Sequence, residues 1–483
     1  MISDVEGGIV SATISGVFLN NFRSFSKPTK IDLRPITLLY GQNSAGKSSI
    51  IKSILLLQQS LAARRRWGDE TSTFIYSGDS VDLGSFQASI SGHVIDKKLS
   101  VGIEISNRDD QARLELPFET TWHTNEKDDN RIMTLTLSLS GEHLNFERHP
   151  RKSRWLLTTE SVRAFLNITA SEQDLLTQSV EMVENLRANC GYLPEFSGDR
   201  FPAKLHSRLV PPNTRRQWLS WTNADRSRDG ESDDTRPVFG EAPLVHRWDE
   251  ICSATWGHCR RQLNLVTHIG PLRQEPRRFE RYSPTDGLGV GTTGQQMLSL
   301  LYERPNLVVK VNDYLDQMEL PYRIKIRALG SGAAVGEVIY LALVDEKTGL
   351  ELSPSDVGVG YSQVLPLITQ STLARNQLVC IEQPELHLHP AMQARLAELF
   401  ISEALGGSQI RFLVETHSES LMLRILRRIR EGLLRPEDVQ VIYIDQDETG
   451  ASLIHSIPID RNGDFTVEWP KGFFDERLQE FGF

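Results

Sequence analysis

Of 483 residues, 39% are hydrophobic and 24% charged, an ordinary globular balance that excludes wholesale disorder, collagen and a coiled coil. The 53 Lys+Arg against 63 Asp+Glu leave a net charge of −10. Global charge therefore does not mark a nucleic-acid binder, although a local basic face is still allowed. The length suits roughly three domains or one large domain with insertions. No stretch reaches the roughly 18 uncharged apolar residues that would cross a bilayer. Asp4 and Glu6 stand where a secretory signal would carry positive charge. Cys190, Cys252, Cys259 and Cys380 are too few for a disulfide framework and form no CxxC pair, so no zinc site is expected. The chain is expected to be soluble, reduced and cytoplasmic, with no membrane partner.

In chain order, residues 14–19 and 36–40 are short apolar runs of strand length. A Gly-rich loop leads into 49–61, where apolar residues at 50, 51, 54, 55, 57 and 61 fit a helix with a wide buried face. Residues 73–150 alternate apolar and polar positions, as antiparallel strands with one wet face do. From 160 to 265 the pattern turns helical and polar, with a breaker-rich stretch at 222–236 that predicts a mobile loop. Alternation returns at 322–328 and 337–344. Strands at 378–382, 411–415 and 439–444 then alternate with helices at 391–405 and 418–432. Strands alternating with helices at both ends predict one split α/β domain. Residues 1–91 and 263–483 form its two lobes, and 92–262 are a β-subdomain and helical insertion.

The loop Gly41-Gln42-Asn43-Ser44-Ala45-Gly46-Lys47-Ser48 fits G-x-x-x-x-G-K-[ST] between an apolar strand and a helix opening at Ser49. Its glycines let backbone N–H groups close around phosphate oxygens, and the helix N-terminus adds a favourable dipole. Lys47 is the expected partner of the β- and γ-phosphates of ATP, and the Ser48 hydroxyl a ligand of Mg²⁺. Leu378 to Glu382 reads as a buried strand ending in an acid placed to hold Mg²⁺ or its water. Gln383 and Glu385 follow it. After another apolar strand comes Glu415-Thr416-His417-Ser418. His417 alone reads as a satisfied polar residue at a strand end; after a P-loop and an acidic strand end it reads as a γ-phosphate sensor. Ser355 to Gln363, with Gly358, Gly360 and Ser362, reads either as a plain turn before a helix or as a second anion-binding helix N-terminus. One nucleotide needs one P-loop, so a second phosphate-facing loop implies a site completed by another subunit.

This order of elements resembles the ATP-binding-cassette ATPases: P-loop, signature loop, acidic strand end, switch histidine. Within them it is similar to the soluble branch of SMC proteins, DNA-repair ATPases and overcoming-lysogenization-defect nucleases, and most of all to AAA-type ATPases of bacterial anti-phage systems such as Septu. The likeness rests on Asn21-Phe22-Arg23-Ser24-Phe25, the P-loop, Gly270-Pro271-Leu272-Arg273, 356–366, 385–390 and 469–474, and it covers about half the chain. It implies an α/β ATPase head and ATP sandwiched between protomers. One protomer would give Gly41 to Ser48 and Glu382, the other the 355–363 loop. It also implies a homodimer or higher oligomer that controls an effector encoded beside it, a nuclease or toxin. Where most cassette ATPases carry a second glutamate after the strand-end acid, this chain has Gln383; an amide orients water but takes no proton. Glu385 is the candidate substitute. Hydrolysis is thus expected to be slow or partner-stimulated, and a scaffold with ATP as structural ligand is the alternative. A DNA-acting ATPase of the SMC kind is the other alternative, against which stands the lack of a long heptad run.

Weaker patterns have plainer readings. His387 and His389 beside Pro390 read as a subunit-contact loop rather than a metal site. Asp445-Gln446-Asp447 reads as an acidic hairpin tip rather than a nuclease centre. The clusters Arg64–Arg66, Arg273 with Arg277, Arg278 and Arg281, and Arg424 with Arg427, Arg428 and Arg430 read by default as solvated or acid-paired surface, with nucleic acid left open as a partner. Trp218 and Trp221 fit either partner anchors or core.

Overall fold

Short apolar runs with no polar alternation must be covered on both faces, and a parallel sheet between layers does this. The computed structural model describes residues 12–62, 74–107, 118–124, 132–139, 142–148, 155–158, 200–202, 259–332 and 336–470. The N-terminal part contains β1 (Ala12–Asn20), β2 (Thr29–Asp32), β3 (Ile36–Gly41), α1 (Lys47–Leu57) and the short α2 (Phe86–Ser89). Strands β4 (Leu99–Asn107), β5 (Phe118–Thr124), β6 (Ile132–Leu139), β7 (Glu142–Arg148), β8 (Trp155–Thr158) and β9 (Arg200–Pro202) follow. The C-terminal part begins with β10 (Thr267–Ile269), β11 (Glu280–Arg281), α3 (Met297–Glu303), α4 (Pro305–Gln317), β12 (Tyr322–Gly332), β13 (Gly336–Asp345) and β14 (Glu351–Leu352). It ends with α5 (Val359–Leu373), β15 (Leu378–Glu382), α6 (Pro390–Leu405), β16 (Arg411–Glu415), α7 (Glu419–Arg430), β17 (Val439–Gln446) and β18 (Ser452–Ser456).

The central sheet has the order β10-β15-β16-β3-β17-β18, parallel except for β18. One of its strands comes from the first 41 residues and the others from beyond residue 266, so both ends of the chain build it. An eight-stranded antiparallel sheet, β2-β1-β4-β5-β6-β7-β8-β9, forms a second layer. A smaller sheet joins β11, β13, β12 and β14.

The period of two divides the core. On one face Leu39, Leu413 and Ile444 pack with α1 and with Val17, Val101 and Ile103 of the antiparallel sheet. On the other, Leu38, Val414 and Tyr443 pack against residues of α4 to α7 such as Val311, Ile368, Phe400 and Ile425. The strands expected at 36–40, 378–382, 411–415 and 439–444 lie within those observed, and helix α6 begins at Pro390, where proline suits the first turn. Helix α1 opens two residues earlier than the apolar spacing marks and passes into a wider turn at Gln58–Ala62.

Strand β4 pairs with β1 over most of its length, so the sheet that carries the 92–150 strands starts within the N-terminal lobe. Between 74 and 98, where alternation suggested strands, the chain forms loops and short helical turns, because Gly78, Gly84 and Gly92 interrupt the run. Arg200–Pro202 is a strand paired with β8, in a region whose polar spacing suggested helix. The 222–236 loop, Trp218, Trp221, Arg64–Arg66 and 471–474 lie outside the described residues. Among the described residues no helix is long and apolar enough to cross a membrane.

Candidate functional site

The parallel strands end on one edge, and register decides what meets there. Glu382 at the end of β15 lies opposite Glu415 at the end of β16, and Gly41 at the end of β3 lies opposite Ile444. The P-loop turns through left-handed backbone at Gly41 (φ +140°), Ser44 (+62°) and Gly46 (+110°). A Cβ on Gly41 would stand 2.0 Å from the Ile444 carbonyl, and one on Gly46 2.4 Å from Ser452 Oγ. The loop is therefore pressed against β17 and β18. Ser452 Oγ lies 2.6 Å from both the Ala45 carbonyl and Ser24 Oγ, and the Gln446 amide donates to the Ser44 carbonyl at 3.0 Å.

Lys47 and Ser49 are buried and Ser48 is half-buried at the start of α1. Lys47 Nζ donates to the carbonyls of Gly41 (2.9 Å) and Gln42 (2.7 Å), curled over its own loop. Burial lowers its pKa, while the carboxylates of Glu415 and Glu385 pull the other way. Ser48 Oγ donates to Glu415 Oε2 at 2.6 Å. Burial pushes the Glu415 carboxyl up; the Ser48 bond opposes this and the neighbouring Glu382 charge adds to it. Glu415 thus stands in direct contact with the expected Mg²⁺ ligand, a role spacing alone did not assign. Its signal was its place at a strand end matching that of Glu382.

Glu382 accepts from His268 Nε2 at 2.8 Å, across from the edge strand β10. Arg273, just beyond β10, is buried and donates from Nη2 to the Glu382 carbonyl (3.0 Å) and from Nη1 to the Gln383 carbonyl (3.2 Å). Neither His268 nor Arg273 was singled out as a site residue. Gln383 sits at φ +46°, its N–H bonded to the Glu415 carbonyl at 2.7 Å. Glu385 reaches the next strand's end, where Oε2 accepts from Thr416 Oγ1 and Oε1 from the His417 N–H, both at 2.7 Å. His417 Nε2 is buried with no hydrogen-bond partner among the described residues. Burial, with a smaller push from Lys47, lowers its pKa and so favours the neutral ring.

The donors fit ATP and Mg²⁺. A hydroxyl and two carboxylates (Ser48, Glu382 and Glu415) are hard oxygen ligands, and no group of three His, Cys, Asp or Glu capable of holding a metal occurs among the described residues. A cation there takes the rest of its coordination from phosphates and water, as Mg²⁺ characteristically does. Asn43 and Ser44 line the open side of the loop, and the orphaned His417 nitrogen calls for a polar partner.

Among the described residues no hydrogen bond joins Gly358, Gly360 or Ser362 to the P-loop. Gly358 caps α5 without a side-chain bond, leaving open space at its Cα, and Val359 is 57% exposed. The loop is tied to Arg278 through Asp356, with bonds of 2.9 and 2.5 Å, and Gly360 lies against the His387 carbonyl. Ser362 Oγ donates back to Val359 at 2.6 Å, within its own helix. His389 Nδ1 caps α6 by accepting from Ala391 N–H at 3.3 Å, a structural role. Asp447 closes a hairpin tip by accepting from Thr449 and Ala451 N–H. Arg424 and Arg428 pair with Glu398, Arg427 with Glu431 and Arg430 with Asp464, so that face is acid-paired.

Residues 13–175 match the family described as AAA ATPase domain. Residues 195–423 match an AAA domain family whose description adds AbiEii toxin and type IV toxin–antitoxin system. Residues 434–482 match a family of unknown function. No curated protein matches the chain. Among solved structures, the SMC head domain from Thermotoga maritima is 10% identical with a TM-score of 0.39, covering 93% of this chain and 99% of that one. A SmcHead bound to the C-winged helix domain of ScpA is 12% identical with a TM-score of 0.42, covering 93% and 98%. The Smc head domain from Pyrococcus furiosus, with an extended coiled coil and bound to the C-terminal domain of ScpA, is 10% identical with a TM-score of 0.40, covering 98% and 99%. Models of AAA-type ATPase domains thus match residues in both halves of the chain.

Proposed function

We propose that the chain binds ATP with Mg²⁺ at Gly41–Ser49 and hydrolyses it slowly, using bound ATP to clamp copies of itself together and control a separate effector. The observation that carries this is the meeting, at one sheet edge, of the P-loop lysine with Ser48, two strand-end carboxylates and a histidine whose Nε2 has no partner among the described residues. Lys47 leaves its two loop carbonyls to hold the β- and γ-phosphates. Asn43 to Gly46 present backbone N–H groups to the phosphates. Mg²⁺, when bound, neutralises phosphate charge; Ser48 and Glu382 are its ligands, with Glu415 beside them. His417, neutral, offers its Nε2–H to the γ-phosphate.

The loop at Gly358–Ser362 completes a second copy's site. Its helix N-terminus has no side-chain cap and open space at Gly358, and the bonds of its loop run to Pro276 and Arg278, which supports leaving its phosphate-facing end to a partner. An effector in an anti-phage operon, a nuclease or toxin, fits this switch, and the toxin-related family match supports it. Direct action on DNA is less favoured, because Arg424, Arg427, Arg428 and Arg430 are already paired with acids.

Nucleotide released from the purified protein, with turnover measured with and without the product of a neighbouring gene, tests the reading. ADP, or turnover that rises with the partner, supports a hydrolytic switch. Intact ATP with no turnover in either case makes ATP a structural ligand. No nucleotide and no binding contradicts the proposal.

A further inference from the structure

Three polar groups crowd the turn after β15, and only one is unoccupied. Both oxygens of Glu385 are engaged, by Thr416 Oγ1 and by the His417 N–H. Glu382 is held by His268. The side-chain amide of half-buried Gln383 makes no hydrogen bond among the described residues. Its backbone, in contrast, is fastened at both ends: the N–H to Glu415 and the carbonyl to Arg273. A left-handed conformation at a residue other than glycine persists only where its surroundings impose it. Here the Glu415 carbonyl and the Leu386 N–H share that task with a buried guanidinium whose fork spans two successive carbonyls.

We propose that Gln383 is the group that orients the attacking water, that Arg273 is the positioning residue that aims it, and that Glu385 is a strut rather than a base. This rests on the ATPase reading above and deepens it. In the step, the water oxygen bonds to the γ-phosphorus while the bond from that phosphorus to the β–γ bridging oxygen breaks, and ADP leaves. One water proton remains on the phosphate formed. The other passes to a phosphate oxygen, since the Gln383 amide accepts a hydrogen bond but not a proton. Glu385, by tying the turn to the His417 backbone, keeps amide and histidine in one rigid frame.

The test combines Arg273→Met and Gln383→Gly, singly and together, in the full chain. In thermal unfolding without nucleotide, Arg273→Met lowers the melting temperature less in the Gln383→Gly background than in the wild type, because glycine takes the left-handed conformation unheld. Equal losses in both backgrounds would overturn the link. In single-turnover assays, Arg273→Met slows hydrolysis about tenfold with the ATP Kd within about twofold, and adds nothing once Gln383 is glycine. A weakened Kd at unchanged rate, additive rate losses, or a wild type that binds ATP and never hydrolyses it would each overturn the assignment. A wild type that binds no nucleotide defeats the ATPase reading instead, and the unfolding comparison still decides the link between Arg273 and Gln383.

Discussion

A single methyl group is enough to test the P-loop. Gly46→Ala places a Cβ 2.4 Å from Ser452 Oγ and 2.6 Å from Ser24 Oγ at a φ of +110°. Strain and contact together are expected to cost about 1–3 kcal/mol and to abolish ATP binding, read by thermal unfolding and nucleotide titration. Ser452→Gly in the same chain recovers part of the stability, because it removes the nearer obstacle. Glu385→Gln leaves one of two donors, Thr416 Oγ1 or the His417 N–H, facing an amide NH₂. The expected loss is about 1–3 kcal/mol, seen in the midpoint of a denaturant titration. At this scale the sequence was informative where composition is the mechanism: glycines that need positive φ, and a lysine and serine at fixed offsets. It was silent on His268, Arg273 and the contact of Ser48 with Glu415, because those depend on which strands become neighbours in space. A histidine in Thr267–Ile269 carries no mark that its strand will lie beside Glu382.

At the scale of elements, α6 and α7 are pinned by Glu398, which receives Arg424 and Arg428. Burial pushes the Glu398 carboxyl up, but hydrogen bonds from Arg428 and Arg424 outweigh it and hold it below the usual carboxylate range. A carboxylate held low stabilises the fold above its ordinary pKa of about 4.5, and that contribution is lost as pH falls through the folded-state value. Glu398→Gln is therefore expected to melt earlier than wild type at pH 7, by about 1 kcal/mol or less after solvent screening. The difference should close only as pH falls through the folded-state value, below 4.5; a gap that persists at pH well below that value would contradict the pairing. The strands of the central sheet were legible because full burial leaves continuous apolar runs, as in Leu378–Glu382 and Arg411–Glu415. The three-residue β10 and the two-residue β11 and β14 were not, since so few residues show no period.

Across the whole molecule, the sheet edge that gathers Gly41, Glu382 and Glu415 is built from both ends of the chain, as strands alternating with helices at both ends implied. On the proposed reading a second copy supplies the Gly358–Ser362 helix end, whose loop is bonded to Pro276 and Arg278 through Ser355 and Asp356. Mg²⁺ and ATP together are expected to shift a hydrolysis-slowed Gln383→Ala chain toward a dimer in light scattering, and Gly358→Asp, which puts a negative charge at the uncapped helix end, should prevent the shift while the nucleotide-free protein melts no lower than wild type. The most direct test of the central claim is calorimetric titration of ATP and Mg²⁺ into wild type and Lys47→Ala. Saturable binding by wild type, weakened at least about a hundredfold by the substitution, is the predicted result. No binding by wild type, or equal binding by both, would contradict it.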